Sequence, residues 1–227
     1  MSEAGAGVLG LLGGTFDPLH VGHLRLALEA REALGLSALC LIPAGSPPLR
    51  ALPHCAATQR LAMVECALAG LPGFSVDPGE VLAAAQSMAP SYTVATLERQ
   101  RRQHGARRPL VLLLGADAFA RLESWQRWRE LFGLAHIAVA TRPGHDIKVG
   151  AGDTALAAEF AARRGIAADL AAAPAGRIVP FAITALEISA TAIRERLARG
   201  LSVRYLVPDP VLDYIESRQI YRTPHGH

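Results

Sequence analysis

Gly13-Gly14-Thr15-Phe16-Asp17-Pro18-Leu19-His20-Val21-Gly22-His23 is the stretch on which the reading of this chain turns. A short apolar run, Val8–Leu12, leads into it and reads as a buried strand. A helical pattern, Val21–Leu34, leads out of it. A glycine turn between a strand and a helix is a natural anion site, because a helix N-terminus offers unpaired N–H groups and the positive end of a dipole. Gly13 and Gly14 have no Cβ, so the backbone there can approach a ligand closely. His20 and His23 lie three residues apart and share a face once the helix has begun, which aims both rings at an anion on the helix end. A zinc site is disfavoured, because no Cys or carboxylate pair nearby completes a tetrahedral set.

Outward from this turn, the strand, the helix and a second strand, Leu39–Pro43, make a βαβ unit, and such units build parallel sheets. The loop Ala44–Pro53 carries Pro47-Pro48 and Arg50. Thr58 then reads as the cap of a helix over Gln59–Ala69, with Leu61, Val64, Ala67 and Leu68 on its apolar stripe. Phe74–Asp77 is a short strand, and residues 78–90 read as irregular apart from a turn of helix at Val81–Ala85. A helix is expected over Val94–Gln103, a buried strand at Leu110–Leu114, and a helix through Ala118–Leu122. Trp125, Trp128 and Phe132 stand near helical spacing. Strands at His136–Thr141 and Arg177–Phe181 follow, with a helix around Thr154–Arg163 between them. Helices from Ser189 to Arg199 and over Pro208–Ser217 complete the chain.

Strands interleaved with helices argue for an α/β fold: a Rossmann-like parallel sheet with helices on both faces. Residues 1–227 are read as a single domain, without an internal repeat or linker. Ligands of such sheets bind beyond the carboxyl ends of the strands. The dinucleotide fingerprint G-x-G-x-x-G and the P-loop are both missing, so a nucleotide is bound by some other device.

Composition narrows the classes. The chain is 51% hydrophobic with a formal net charge of +3 over 227 residues, which is globular rather than disordered. Its basic residues are almost all Arg, with Lys148 the single lysine. That balance suits anionic small molecules and is too weak to argue for nucleic acid. Cys40, Cys55 and Cys66 form no C-x-x-C pair, and an odd, unpatterned set fits a reducing cytoplasm. Glu3 and the glycines around it do not make a signal peptide, and no apolar run approaches the roughly 20 residues of a membrane span. The Ala-rich stretch 151–175 is read as a tolerant surface helix rather than an oligomer contact. Monomer and homo-oligomer both stay open.

A second motif lies about 165 residues downstream: Ile188-Ser189-Ala190-Thr191-Ala192-Ile193-Arg194. Ser189 is a good N-cap, Thr191 falls in the first turn, and Arg194 follows five residues after the cap. Two hydroxyls, open N–H groups and a guanidinium make an anion cradle. The alternative, an ordinary capped helix with a surface Arg, has equal standing when this motif is seen alone.

Gly-Gly-Thr-Phe-Asp-Pro with His-x-Gly-His, and Ile-Ser-x-Thr-x-Ile-Arg after it, resemble the two signatures of the nucleotidyltransferase superfamily. The middle of the chain narrows this. Pro90-Ser91-Tyr92-Thr93 with Thr96-Leu97, Gly115-x-Asp117, Trp125, Arg142-Pro143-Gly144 and the ending Leu206-Val207-Pro208 with Val211-x-x-Tyr214-Ile215 resemble the bacterial nicotinate mononucleotide adenylyltransferase family, from about Val8 to Arg222. The resemblance implies transfer of an adenylyl group from ATP to nicotinate mononucleotide, with Mg²⁺ accompanying the ATP and no metal ligand from a protein side chain. It implies that His20, His23 and Arg194 are catalytic. It places ATP against Gly13, Gly14, Thr15, Phe16, Gly22, Gly115, Asp117, Ile188, Ser189 and Thr191, and nicotinate mononucleotide against Tyr92, Thr93, Trp125 and Arg142. Thr93 and nearby amides would hold the nicotinate carboxylate, and Trp125 would stack on the pyridine ring, which leaves Trp128 for the core. Two departures stand out. Leu49 replaces a histidine that the family often has before a basic residue, while Arg50 keeps the basic end as a candidate phosphate contact. Gln126 follows the stacking tryptophan where an aromatic residue sometimes stands.

Three other readings compete. A different acceptor on the same fold (nicotinamide mononucleotide, phosphopantetheine or a phosphorylated alcohol) is the nearest, and Thr93 and Trp125 argue against the last two. A non-catalytic nucleotide-binding module is disfavoured by the paired histidines. A class I tRNA synthetase fragment would carry a Lys-Met-Ser-Lys-Ser segment, which the chain lacks.

Overall fold

The computed structural model describes residues 7–47, 52–87, 90–142, 147, 154–184 and 186–222. Six strands form one sheet: β1 (Leu9–Gly14), β2 (Ala38–Pro43), β3 (Phe74–Val76), β4 (Leu110–Gly115), β5 (His136–Thr141) and β6 (Ile178–Ala182). Their order is β3-β2-β1-β4-β5-β6, and every neighbouring pair is parallel. This is the doubly wound order, in which the winding reverses between β1 and β4.

The expected near-continuous apolar strands are there because both faces of the sheet are covered. Alternate residues point to opposite faces. Leu12, Leu39, Leu41, Val111 and Leu113 enter a core on one side, with α1 (Val21–Ala33), α2 (Ala57–Leu68), α8 (Ala190–Ala198) and α9 (Asp209–Ser217). Leu9, Leu11, Cys40, Ile42, Leu112 and Leu114 enter the other, with α4 (Thr93–His104), α6 (Leu131–Leu134) and α7 (Ala155–Arg163). Helices on both faces are as the sequence implies. Among the described residues no helix is long and apolar enough to cross a membrane.

Several local expectations are corrected. The helix α2 begins at Ala57, not Gln59, and Thr58 is not its cap. The Gln59 side chain accepts the Ala56 N–H at 3.1 Å, so the first turn is closed from inside the helix. Its inward stripe holds Arg60 and Met63, while Leu61 is only half-buried. The span expected to be irregular contains α3 (Gly79–Ser87). Asp77 starts it, accepting the Gly79 N–H at 2.7 Å, with Pro78 pre-set for a helix start. The helix expected through Ala118–Leu122 is α5 (Ala116–Phe119) followed by a 3₁₀ turn at Leu122–Ser124. Trp125 and Trp128 do not share a helix, because Arg127 takes a left-handed backbone (φ 52°) between them.

Leu11 lies at the centre of the sheet with no exposed surface. Leu11→Ala therefore leaves a cavity that neighbouring strands cannot close, and urea unfolding should show a loss of about 2–5 kcal/mol.

Candidate active site

The carboxyl ends of β1, β4, β5 and β6 all open on one edge of the sheet, and the sequence motifs lie there. The turn after β1 runs from Thr15 to His20, which is the N-terminal cap of α1. Phe16 has a left-handed backbone (φ 50°), and the Asp17–Pro18 peptide is cis. Phe16 folds its ring back under the strand, so a Cβ on Gly14 would lie 2.6 Å from that ring. The second glycine is thus required by packing, whereas around Gly13 there is open space.

His20 and His23 meet as expected. Their rings stack with centroids 3.7 Å apart, and the Phe16 ring stands edge-on to His23 at 5.0 Å. His23 Nδ1 accepts the His20 backbone N–H at 3.3 Å. In a neutral ring this assigns the proton to Nε2, where it can be donated. His20 is buried, its Nδ1 has no partner, and burial pulls its pKa down to about 4. At neutral pH it is an uncharged imidazole that works by hydrogen bonding. The helix start has fewer open amides than a bare terminus, because the Val21 N–H is taken by Leu206 C=O at 2.9 Å.

The second motif packs against the first. A Cβ on Gly22 would lie 3.8 Å from Ile188 Cβ, so the start of α1 and the approach to α8 are in contact. Ser189 caps α8, its hydroxyl oxygen accepting the Ala192 N–H at 3.2 Å. Arg194 Nη1 donates to the Asp17 carbonyl at 2.7 Å, and Nη2 donates to the Thr191 hydroxyl at 3.2 Å. Arg194 is therefore not a loose surface cation. It is half-buried and fixed on the β1 turn 177 residues away.

Asp17, quoted in the motif but given no role from sequence, is the hub beneath this turn. It is only 4% exposed. Its carboxylate accepts from the His54 N–H at 2.7 Å, the Tyr221 hydroxyl at 2.6 Å and the Cys55 thiol at 3.2 Å. Burial alone would push this carboxyl up, but those three donors and the nearby Arg194 charge outweigh it and hold it below its usual value. Burial, together with the Asp17 charge, pushes the Tyr221 phenol upward, so it stays a donor. Cys55 rises to about 12, first through burial, and is an inert thiol.

Of the other predicted contacts, Tyr92 and Trp125 pack against the core on the other face of the sheet. Thr93 is the first residue of α4 and Tyr92 its cap. Ser91 ties this end to the loop after β2: its N–H donates to Ser46 C=O at 2.8 Å and its hydroxyl accepts the Ser46 N–H at 3.1 Å. Trp125 is half-buried on the same side of the sheet, and Trp128 is in the core, as expected. The Trp125 loop is braced to α4 by Arg127, which donates to Glu98 at 2.9 Å and also pairs with Glu130. Gly115 and Asp117 are exposed at the end of β4, and Arg142 is exposed past the end of β5. Arg50, with Leu49, lies outside the described residues. Sequence reasoning passed over Arg60, Glu80 and Tyr221, which touch the loops from behind. An Arg on the inward face of α2 was the available signal for the first.

A doubly wound sheet with a glycine turn after its first strand, faced by a capped helix bearing an arginine, defines a nucleotidyltransferase class of architecture. The chain belongs to the cytidylyltransferase-like family, whose model matches residues 11–196. It is 55% identical over 215 residues, 94% of this chain and 97% of the relative, to a protein of Dechloromonas aromatica named "Probable nicotinate-nucleotide adenylyltransferase". A protein of the same name from Pseudomonas fluorescens is 47% identical over 96% of this chain and 98% of its own length. Among solved structures, the Plasmodium falciparum nicotinic acid mononucleotide adenylyltransferase complexed with NaAD superposes with a TM-score of 0.68 over 94% of this chain and 97% of that one. At 15% identity, that likeness concerns the fold.

The lowered pKa of His20 gives a pH signature. The unfolded imidazole takes up a proton near pH 6.5 and the folded one only near 4, so stability falls as pH drops through that window, by up to about 1.4 kcal/mol per pH unit. Denaturant melts from pH 7 to 4 should show such a slope in the wild type and a shallower one in His20→Gln, since the buried His136, whose pKa is also lowered, stays in the variant.

Proposed function

We propose that this chain transfers the adenylyl group of ATP to nicotinate mononucleotide, giving nicotinate adenine dinucleotide and pyrophosphate in NAD biosynthesis. The observation that carries the reading is the joined pair of motifs, in which the stacked His20 and His23 share one turn with Arg194. The names of relatives about half-identical over nearly the full chain support the acceptor.

The acceptor phosphate is ionised at neutral pH, so its oxygen attacks the α-phosphorus of ATP without a general base. The bond from that phosphorus to the β-bridging oxygen breaks, and pyrophosphate leaves with the electron pair. What remains for the protein is to align two anions and stabilise the charge moving onto the leaving group. The neutral His20 ring and the His23 ring donate N–H groups to the triphosphate. Arg194, held by Asp17 C=O, supplies a fixed positive charge, and Thr191 and the α8 N-terminus contribute donors. Gly115 and Asp117 border the nucleotide riboses. Thr93 and the amides at the start of α4 receive the nicotinate carboxylate, Trp125 offers its face to the pyridine ring, and Tyr92 and Arg142 border this subsite.

The residues present fit a Mg²⁺ that arrives with the nucleotide. Asp17, the carboxylate under the turn, is occupied by its protein donors, and among the described residues no group of three metal ligands gathers. Such an ion would be held by phosphates and water and would neutralise part of their charge. The three cysteines are free, which suits the reducing cytoplasm in which we place the enzyme.

Pyrophosphate release from ATP and Mg²⁺ should be fast with nicotinate mononucleotide and slow with nicotinamide mononucleotide. Equal rates would remove the carboxylate role of Thr93, and release with neither would overturn the reading. His23→Ala should lower kcat by about 10²–10³ or more while far-ultraviolet dichroism is unchanged.

A further inference from the structure

Arg60 is the largest fully buried side chain of the protein's described residues, at 1% exposure. It projects from the first turns of α2, on the inward face beside Met63 and Val64. Its Nη1 donates to the Thr15 carbonyl at 2.7 Å and its Nη2 to the Gly45 carbonyl at 3.0 Å. Its Nε has no partner. Among the described residues no carboxylate lies within ion-pair distance of it; the carboxylates of Asp17 and Glu80 act on it only from further away.

A buried guanidinium without a paired carboxylate is costly, by several kcal/mol. An apolar side chain of similar size, such as a second methionine, would fill the same space without that cost. Packing therefore does not account for the residue, and its two hydrogen bonds do. The two carbonyls belong to different loops. Thr15 is in the turn after β1, which the proposed function gives to the triphosphate. Gly45 is in the loop after β2, whose next residue, Ser46, is doubly hydrogen-bonded to Ser91 at the entrance to Tyr92 and Thr93. The planar guanidinium fixes the angle between its two donors, so the carbonyls it holds shift together.

On the adenylyltransferase reading, we infer that Arg60 is a positioning residue that couples the two substrate loops, so that ATP and nicotinate mononucleotide each bind more tightly when the other is present. Order imposed on Thr15 by the triphosphate passes through one rigid fork to Gly45, and from Ser46 to the start of α4. Linkage makes the effect reciprocal, with the same factor in both directions. A lysine keeps the positive charge but not the fork, which separates the coupling from simple electrostatics.

The test is a titration of the full-length protein with α,β-methylene ATP and Mg²⁺, and with nicotinate mononucleotide, each alone and each in the presence of the other. The wild type should show a reciprocal tightening of about fivefold or more. In Arg60→Lys each ligand alone should still bind, and the tightening should fall to near onefold. A lysine variant with wild-type tightening would overturn the inference, since direct contact between the ligands would then suffice. Wild-type binding of both ligands without any tightening would overturn it while leaving the function standing, whereas absence of binding would sink both. Should the variant fail to fold, amide exchange in the wild type decides: α,β-methylene ATP alone should slow exchange at Gly45 and Ser46, and exchange there that ignores the nucleotide refutes the link.

Discussion

The Asp17 carboxylate is the constraint on which the site depends. A buried carboxylate is tolerable only when donors surround it, and here they come from His54 and Cys55 just before α2 and from Tyr221, with the Arg194 guanidinium 3.9 Å away. Each hydrogen bond to such a charged group contributes on the order of 1.5–3 kcal/mol. They hold the turn after β1 in a shape that includes a left-handed Phe16, and that shape stacks His20 on His23. Arg194 is fixed by the same residue, through its backbone carbonyl rather than its carboxylate. The Arg194 guanidinium is thereby held by the same residue whose buried carboxylate gathers the other donors.

Two kinds of group meet at this turn. Burial keeps the His20 imidazole neutral near pH 7, and the His23 ring is stacked on it with centroids 3.7 Å apart. The arginines are permanent cations. The turn thus brings a fixed cation, Arg194, next to a neutral imidazole, His20, on one short stretch of backbone.

Much of this was legible in the sequence. Apolar runs such as Leu110–Leu114 read directly as buried strands, because in a doubly covered parallel sheet the strands are hydrophobic on both faces. The two anion motifs were legible because their residue types and spacing serve the chemistry itself, and the structure joins them at Gly22 and Ile188. Less legible was what lies behind them. The Asp77-Pro78 start of α3 is a local signal that was present and passed over. Arg60 was hidden by the rule that arginines face water. The partnership of Asp17 with Tyr221 spans 204 residues, and no local pattern encodes it. The left-handed Arg127 broke a helical spacing that two tryptophans and a phenylalanine imitated.

That 204-residue span also orders the making of the protein. The turn after β1 leaves the ribosome 204 residues before Tyr221, so its carboxylate gains a last donor only when Tyr221 has been synthesised. Arg194 and the Leu206 carbonyl that caps α1 arrive almost as late. The nascent sheet has its phosphate turn early in an unfinished form, and contacts of such separation are the slow ones in folding. A nascent chain that stops between Arg194 and Tyr221 would hold the guanidinium contact but lack the phenol that completes the carboxylate's set of donors.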